Sequence, residues 1–282
     1  MTKKQSKSKK PKNLLLKAAL GTACLIALAY LFPVYILLIN SFKGLREIYL
    51  GIMDFPVKLN LVNYREAIDK LDFFVSIGNS LVITIASTLI VLLFTSMAAW
   101  VLVRYKTRKS KFFFMLFAAA QLIPFQCVML PLVDLMGRMG LQNRPGMILM
   151  YLGFGSSMSV ILFHGFIKNI PLELEEAALI DGCNPFQMFF LIVLPLLKTI
   201  MVTVTIINVM WIWNDFLLPQ LMINKQGWQT LPLKTYLFFG QFSRRWDLAT
   251  AALILCMIPI IVFYLICQKL IIKGVTEGAV KG

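Results

Sequence analysis

Residues Glu173 to Pro195 read E-L-E-E-A-A-L-I-D-G-C-N-P-F-Q-M-F-F-L-I-V-L-P, a polar island between two long apolar tracts. Pro171 suits the first turn of a helix, where its missing N–H would be unpaired anyway and its fixed φ is already helical, so a short helix is expected from there. Glu173, Glu175 and Glu176 then fall in the first turns, where carboxylates complement the positive end of the macrodipole. Gly182 can supply the left-handed residue that ends the helix, and Asn184 with Pro185 can restart a second one. The expected product is a helix-turn-helix that presents the small surface Ala177–Ala178 beside an acid, a shape suited to docking in a groove of another protein.

The tracts on either side decide the class. With 59% hydrophobic and 15% charged residues the chain cannot be an ordinary soluble domain, whose charged share is about a quarter. An all-α, polytopic transmembrane bundle is expected. Its net charge of +15 is better read as topology signal than as a nucleic-acid footprint, because the basic residues cluster between apolar runs and no nucleic-acid module is recognisable. The five cysteines form no C-x-x-C pair or metal spacing, so neither a redox nor a metal role is indicated.

Six spans fit the hydropathy, at about residues 18–39, 73–103, 112–133, 145–167, 199–223 and 248–268, together a transmembrane domain over 18–272. Residues 1–17 are lysine-rich and expected as a disordered basic tail. The second span is polar in its first part, with Ser76, Asn79, Ser80, Thr84, Ser87 and Thr88, and should face other helices rather than lipid. Between the first two spans, residues 63–69 could form a surface helix with Asn63 as its cap. Pro33 should bend the first span, and Pro124 and Pro131 are kink sites in the third. Residues 182–197 are uncharged and could be taken for a seventh span, but they are too short for one and bracketed by Pro185 and Pro195. The loop 168–198 is therefore placed with both chain ends, including the tail 273–282, on the cytoplasmic side. The assigned inner segments hold 17 Lys/Arg and the outer ones 11, the bias expected of that orientation.

The island resembles the signature loop of the membrane subunits of ATP-binding-cassette importers: E-A-A, three residues, G, nine residues, I-x-L-P. Glu176, Ala177, Ala178, Gly182, Ile192, Leu194 and Pro195 meet every fixed position, and Asp181 fits the extended form found in the carbohydrate branch. Trp213-Asn214-Asp215-Phe216 and the end of the chain, Lys273 to Gly282, are also similar to that branch. The resemblance implies a type I importer fold in which residues 176–182 form a cytoplasmic coupling helix docked in a cleft of an ATPase subunit. It further implies a second homologous permease subunit, two ATPase subunits, an extracytoplasmic solute-binding protein and a location in a prokaryotic cell membrane. The sequence has no G-x-x-x-x-G-K-[ST] phosphate loop, so this chain is expected to bind no cofactor, with ATP and Mg held on the ATPase partners.

A sugar path needs aromatic faces for C–H surfaces and amide or carboxylate partners for hydroxyls. Asn208, Trp211, Trp213, Asn214 and Asp215 are candidates, set against an equally open reading as an interfacial aromatic belt with a helix-packing Asn. The single histidine, His164, reads as a packed residue rather than a base, and no nucleophile–base pair is legible, so no enzyme is expected. Import of another solute, such as a glycerol-phosphate-type compound, would call for a basic group in the cavity. An ion-coupled secondary transporter would call for internal repeats and several midplane carboxylates, against the one candidate Asp215.

Overall fold

A computed structural model describes residues 10–223, 225–239 and 245–279. The chain begins with α1 (Lys10–Ser41), α2 (Leu45–Leu50), α3 (Val62–Lys70) and α4 (Phe73–Arg104). Next come α5 (Arg108–Ala120), α6 (Phe125–Arg138), α7 (Arg144–Ile167), α8 (Glu173–Ile180) and α9 (Pro185–Gln187). A π-helical stretch, Met188–Val193, leads into α10 (Leu194–Leu196), α11 (Lys198–Asn214), α12 (Leu217–Met222), α13 (Leu231–Thr235) and α14 (Trp246–Ala279). No strand occurs among the described residues. Among the described residues four helices are long and apolar enough to cross a membrane, or up to six if two bent pairs each count as one span.

The third expected span, with its kink sites at Pro124 and Pro131, and the fifth are both broken rather than continuous helices. Residues 112–133 are not one helix: α5 and α6 meet at 103° across Gln121–Pro124. Pro124 disfavours the helical region for Ile123 and itself lies extended at ψ 140°, so α5 cannot continue through it. Residues 199–223 are likewise interrupted, because Asp215 is extended (φ −71°, ψ 129°) between α11 and α12. Pro195, expected as a stop, sits inside a continuous helical run, and the break falls at Leu197 with a 79° bend. A proline removes one rung of the i−4 ladder, and the wider π turn just before Pro195 accommodates it.

The ends differ too. Residues 1–9 lie outside the described residues, but 10–17, expected as disordered, are helical and belong to α1. At the other end α14 runs unbroken from Trp246 through residues 273–279, part of the expected tail.

The chain divides into two compact units. The first comprises residues 1–69 and 238–255. In it Asn63 does not cap α3. It is buried, and its Nδ2 donates to the carbonyls of Ser41 (3.0 Å) and Lys43 (2.8 Å), while Asn60 Oδ1 accepts from Val62 N–H at the helix start. The fully buried Lys43 donates to Gly51 O at 2.9 Å, so its charge lies against the carbonyl end of α2.

The second unit comprises residues 70–237 and 256–282. Its spine is α4 packed along α7, with α11 against both. Ser76, Asn79, Ser80, Thr84, Ser87 and Thr88 are all buried, so the polar stripe of α4 faces other helices as expected. One apolar cluster joins Ala99, Val103, Phe163, Ile167, Phe189 and Val204, and another joins Ile83, Met147, Tyr151, Ile212, Leu218 and Met222. His164 is buried and stacked on Phe114 at 3.9 Å between centroids, a packing role.

Candidate functional site

Helix α8 starts at Glu173, two residues later than Pro171 suggested, and carries Glu173, Glu175 and Glu176 in its first turn. Gly182, at φ +84°, ends it. Cys183 N–H reaches Ala178 O (3.0 Å) and Gly182 N–H reaches Leu179 O (3.1 Å), the paired bonds of a Schellman turn. Asn184 then opens α9 with a reciprocal capping box: its Oδ1 accepts from Gln187 N–H and Gln187 Oε1 accepts from Asn184 N–H, each at 2.9 Å. A turn so fully satisfied by local groups fixes the angle between α8 and the chain after it.

The signature residues divide between two surfaces. Ala178 is buried; Glu176, Ala177, Asp181 and Gly182 are exposed, beside Ile180 at 87% exposure. Ile192 and Leu194 are half-buried and Pro195 is exposed. Sequence reasoning missed the residue that anchors the helix. Glu175, 4% exposed, accepts from Arg104 Nε (2.8 Å) and from Trp100 Nε1 (2.9 Å), both on the last turns of α4. The spacing of Glu175 and Ala178, three apart on one helix face, was the available signal.

A cavity of about 760 Å³ opens where the α5–α6 bend meets α7 and α11. Gln121, Ser157 and Asn208 supply its polar groups, and Phe154 and Trp211 its aromatic ones. Asn208 is held by Nδ2 bonds to Ser159 Oγ (3.1 Å) and Val204 O (2.8 Å). Of the five candidates for a sugar path, only Asn208 and Trp211 line this cavity. Trp213 is buried elsewhere, donating from Nε1 to Cys256 O at 3.4 Å, and Asn214 donates to Met210 O of its own helix at 2.7 Å. Asp215 accepts from the N–H groups of Leu217 (3.0 Å) and Leu218 (3.4 Å) and from Tyr151 Oη (2.9 Å). Gln121 and Ser157 were missed, although a glutamine three residues before Pro124 inside an apolar run is a visible anomaly. No cluster of His, Cys, Asp and Glu that could hold a metal occurs among the described residues.

Residues 91–277 match the family described as binding-protein-dependent transport system inner membrane component. The chain belongs to this family. It is thus a multi-pass transport component of the cell membrane rather than an enzyme. The probable starch degradation products transport system permease protein of Thermoanaerobacterium thermosulfurigenes is 43% identical over 91% of this chain and 93% of that relative. The multiple sugar-binding transport system permease protein of Streptococcus mutans is 37% identical over 89% and 92%, and the melibiose/raffinose/stachyose import permease protein of Bacillus subtilis 36% over 92% and 95%. The fold is similar to a chain in the crystal structure of a bacterial ABC transporter involved in import of the acidic polysaccharide alginate, with a TM-score of 0.76 and 23% identity over 95% of this chain and 99% of that one.

In this inner membrane component the carboxylate of Asp215 is engaged by the fold. It caps α12 across the break in residues 199–223 and fixes the buried phenol of Tyr151. Asp215→Ala should therefore cost roughly 1–3 kcal/mol, through the lost cap and a stranded hydroxyl, and lower the yield of folded subunit. Asp215→Asn keeps an acceptor and should give near-normal yield with an unchanged range of transported solutes. Uptake per assembled complex for several sugars checks this: a changed range in the Asn variant would return Asp215 to the transport path.

Proposed function

We propose that the chain is one of two different membrane subunits of an ATP-driven carbohydrate importer, passing an uncharged sugar or oligosaccharide and performing no covalent step itself. Three similar permeases are named for starch degradation products, multiple sugars and melibiose, raffinose and stachyose. The cavity is lined mainly by apolar side chains, among which stand the amides of Gln121 and Asn208, the hydroxyl of Ser157 and the rings of Phe154 and Trp211. None of these lining residues is charged, which suits a neutral solute with hydroxyls and C–H faces better than a glycerol-phosphate-type anion. The companion permease subunit would complete the path. A solute-binding protein would deliver the sugar, and two ATPase subunits holding ATP and Mg would drive the cycle.

The observation that carries the coupling role is the two-faced α8: Glu175 and Ala178 inward, Glu173, Glu176, Ala177 and Ile180 outward. An outward face of small and apolar residues beside two carboxylates is the shape a basic-rimmed groove would receive, and its movement with the ATPase would bias the bundle between two arrangements. Both chain ends and the loop 168–198 would lie on the cytoplasmic side, in line with the 17 to 11 distribution of basic residues.

In membranes that contain the full complex, Glu176→Lys should leave this subunit in place and release the ATPase subunits, abolishing uptake of labelled α-linked oligosaccharides. Retention of the ATPase with normal uptake would sink the docking assignment.

A further inference from the structure

The cluster that remains unexplained is the buried pair at the end of α4. Glu175 Oε1 takes Arg104 Nε at 2.8 Å and Nη2 at 2.7 Å, while Oε2 takes Trp100 Nε1 at 2.9 Å. The same guanidinium donates from Nη2 to Ile170 O at 3.1 Å, just ahead of α8. The side chains of Arg104 and Glu175 are 15% and 5% exposed. Trp100 also packs on Phe189 of the π stretch, with centroids 5.7 Å apart. A single turn of α4 is thus clasped both by α8 and by the segment after it.

Ion pairs so dry contribute little net stability, because desolvation offsets the attraction, yet separating the partners strands a charge. Their consequence is mechanical: α8 cannot slide or tilt against α4 without breaking the bonds of Glu175 to Arg104 and Trp100 together. Helix α4 is 32 residues long, so at 1.5 Å per residue it reaches roughly 48 Å. Near its other end Asn79 Nδ2 holds the carbonyls of Gly227 and Gln229 at 2.9 Å each, and Ser80 Oγ accepts from Leu231 N–H at 2.8 Å. Arg144 Nη2 donates to Asn79 Oδ1 at 2.6 Å, and Lys234 pairs with Asp72, which precedes α4. One rigid rod therefore joins the docking helix to the segment 227–235.

We infer that Glu175 is a positioning residue which, with Arg104 and Trp100, makes α8 and α4 one moving body, so that α4 delivers the ATPase stroke to the segment 227–235. The inference rests on the coupling role proposed for α8. Two neighbouring carboxylates then have different roles, for Glu176 faces the ATPase while Glu175 faces inward and passes the motion on.

The test uses the complete importer reconstituted in proteoliposomes, with co-purified ATPase, ATP hydrolysis and sugar moved per ATP all measured. Glu175→Gln keeps shape and one acceptor but removes the charge that pairs with Arg104. It should retain the ATPase subunits and hydrolysis, while sugar moved per ATP falls roughly ten-fold, the scale of an ordinary coupling free energy. Should that variant fail to assemble, Arg104→Met with Glu175→Leu removes both charges, keeps apolar volume and should show the same loss. A normal sugar-to-ATP ratio in either variant overturns the inference, and so does failure of both to assemble, which would make the pair a folding element only. Loss of the ATPase subunits with Glu176→Lys reads the docking role separately, so the two assignments can fail independently.

Discussion

Gly155→Leu is expected to reduce the assembled subunit to below about a tenth of its normal level, because it forces a side chain into the close seam between α4, α7 and α11. A Cβ at Gly155 would stand 2.8 Å from Asn208 Oδ1 and 3.2 Å from Val91 Cγ2. Neither neighbour yields without loss. Asn208 is pinned by its bonds to Ser159 and Val204, and Val91 is fully buried in α4. The residue is thus the point where α4, α7 and α11 come together, at the wall of the cavity. Overpacking of a tight core costs about 1–3 kcal/mol, and displacing Asn208 adds the desolvation of its amide. Gly155→Ala should be milder, with altered sugar uptake in what assembles because Asn208 would have to move. Membrane yield and thermal melting of the two variants check the order; a leucine variant that accumulates and melts normally would show that the seam is looser than these distances state.

Gly182→Leu should leave the subunit in the membrane but cut uptake more than about ten-fold, the range of a typical coupling free energy. The site has φ +84° and no atom within 4 Å of the point where a Cβ would stand, so crowding is not the cause. A branched residue there is strained by roughly 1–2 kcal/mol, relieved by opening the turn that sets the angle between α8 and α9. Asparagine visits the left-handed region readily, so Gly182→Asn should retain most of the uptake and of the bound ATPase. Equal behaviour of the two variants would mean that turn geometry is irrelevant to coupling.

Local chemistry makes much of this protein readable from its residues. The end of α8 at Gly182 and the restart at Asn184 depend only on groups a few residues apart, and both stand where the amino-acid order puts them. The polar stripe of α4 is legible for the same kind of reason: hydroxyl and amide side chains in an apolar helix must face protein, and the helical period tells which residues share that face. The bend at Pro124 is half legible, since a proline marks a kink site but does not say that the chain will turn by 103°.

What the sequence could not decide is which of several similar residues finds a partner. Glu175 and Glu176 are adjacent and chemically identical, yet one is buried against Arg104, 71 residues earlier, and the other is exposed. Asp215 reads in the sequence as a group in search of a wet cavity, whereas in the fold Tyr151 and the start of α12 occupy both its oxygens. Asn208 and Trp211 belong to the cavity while Trp213 and Asn214 do not, because a helix turns 100° per residue and only the packed neighbours fix where that turning begins. The amino-acid order by itself determined the all-α class, the turn from α8 into α9 and the buried stripe of α4; tertiary packing decided where the third and fifth spans break, which of Glu175 and Glu176 is buried and which polar groups are left facing the cavity, because those choices depend on distances between segments that local preference does not set.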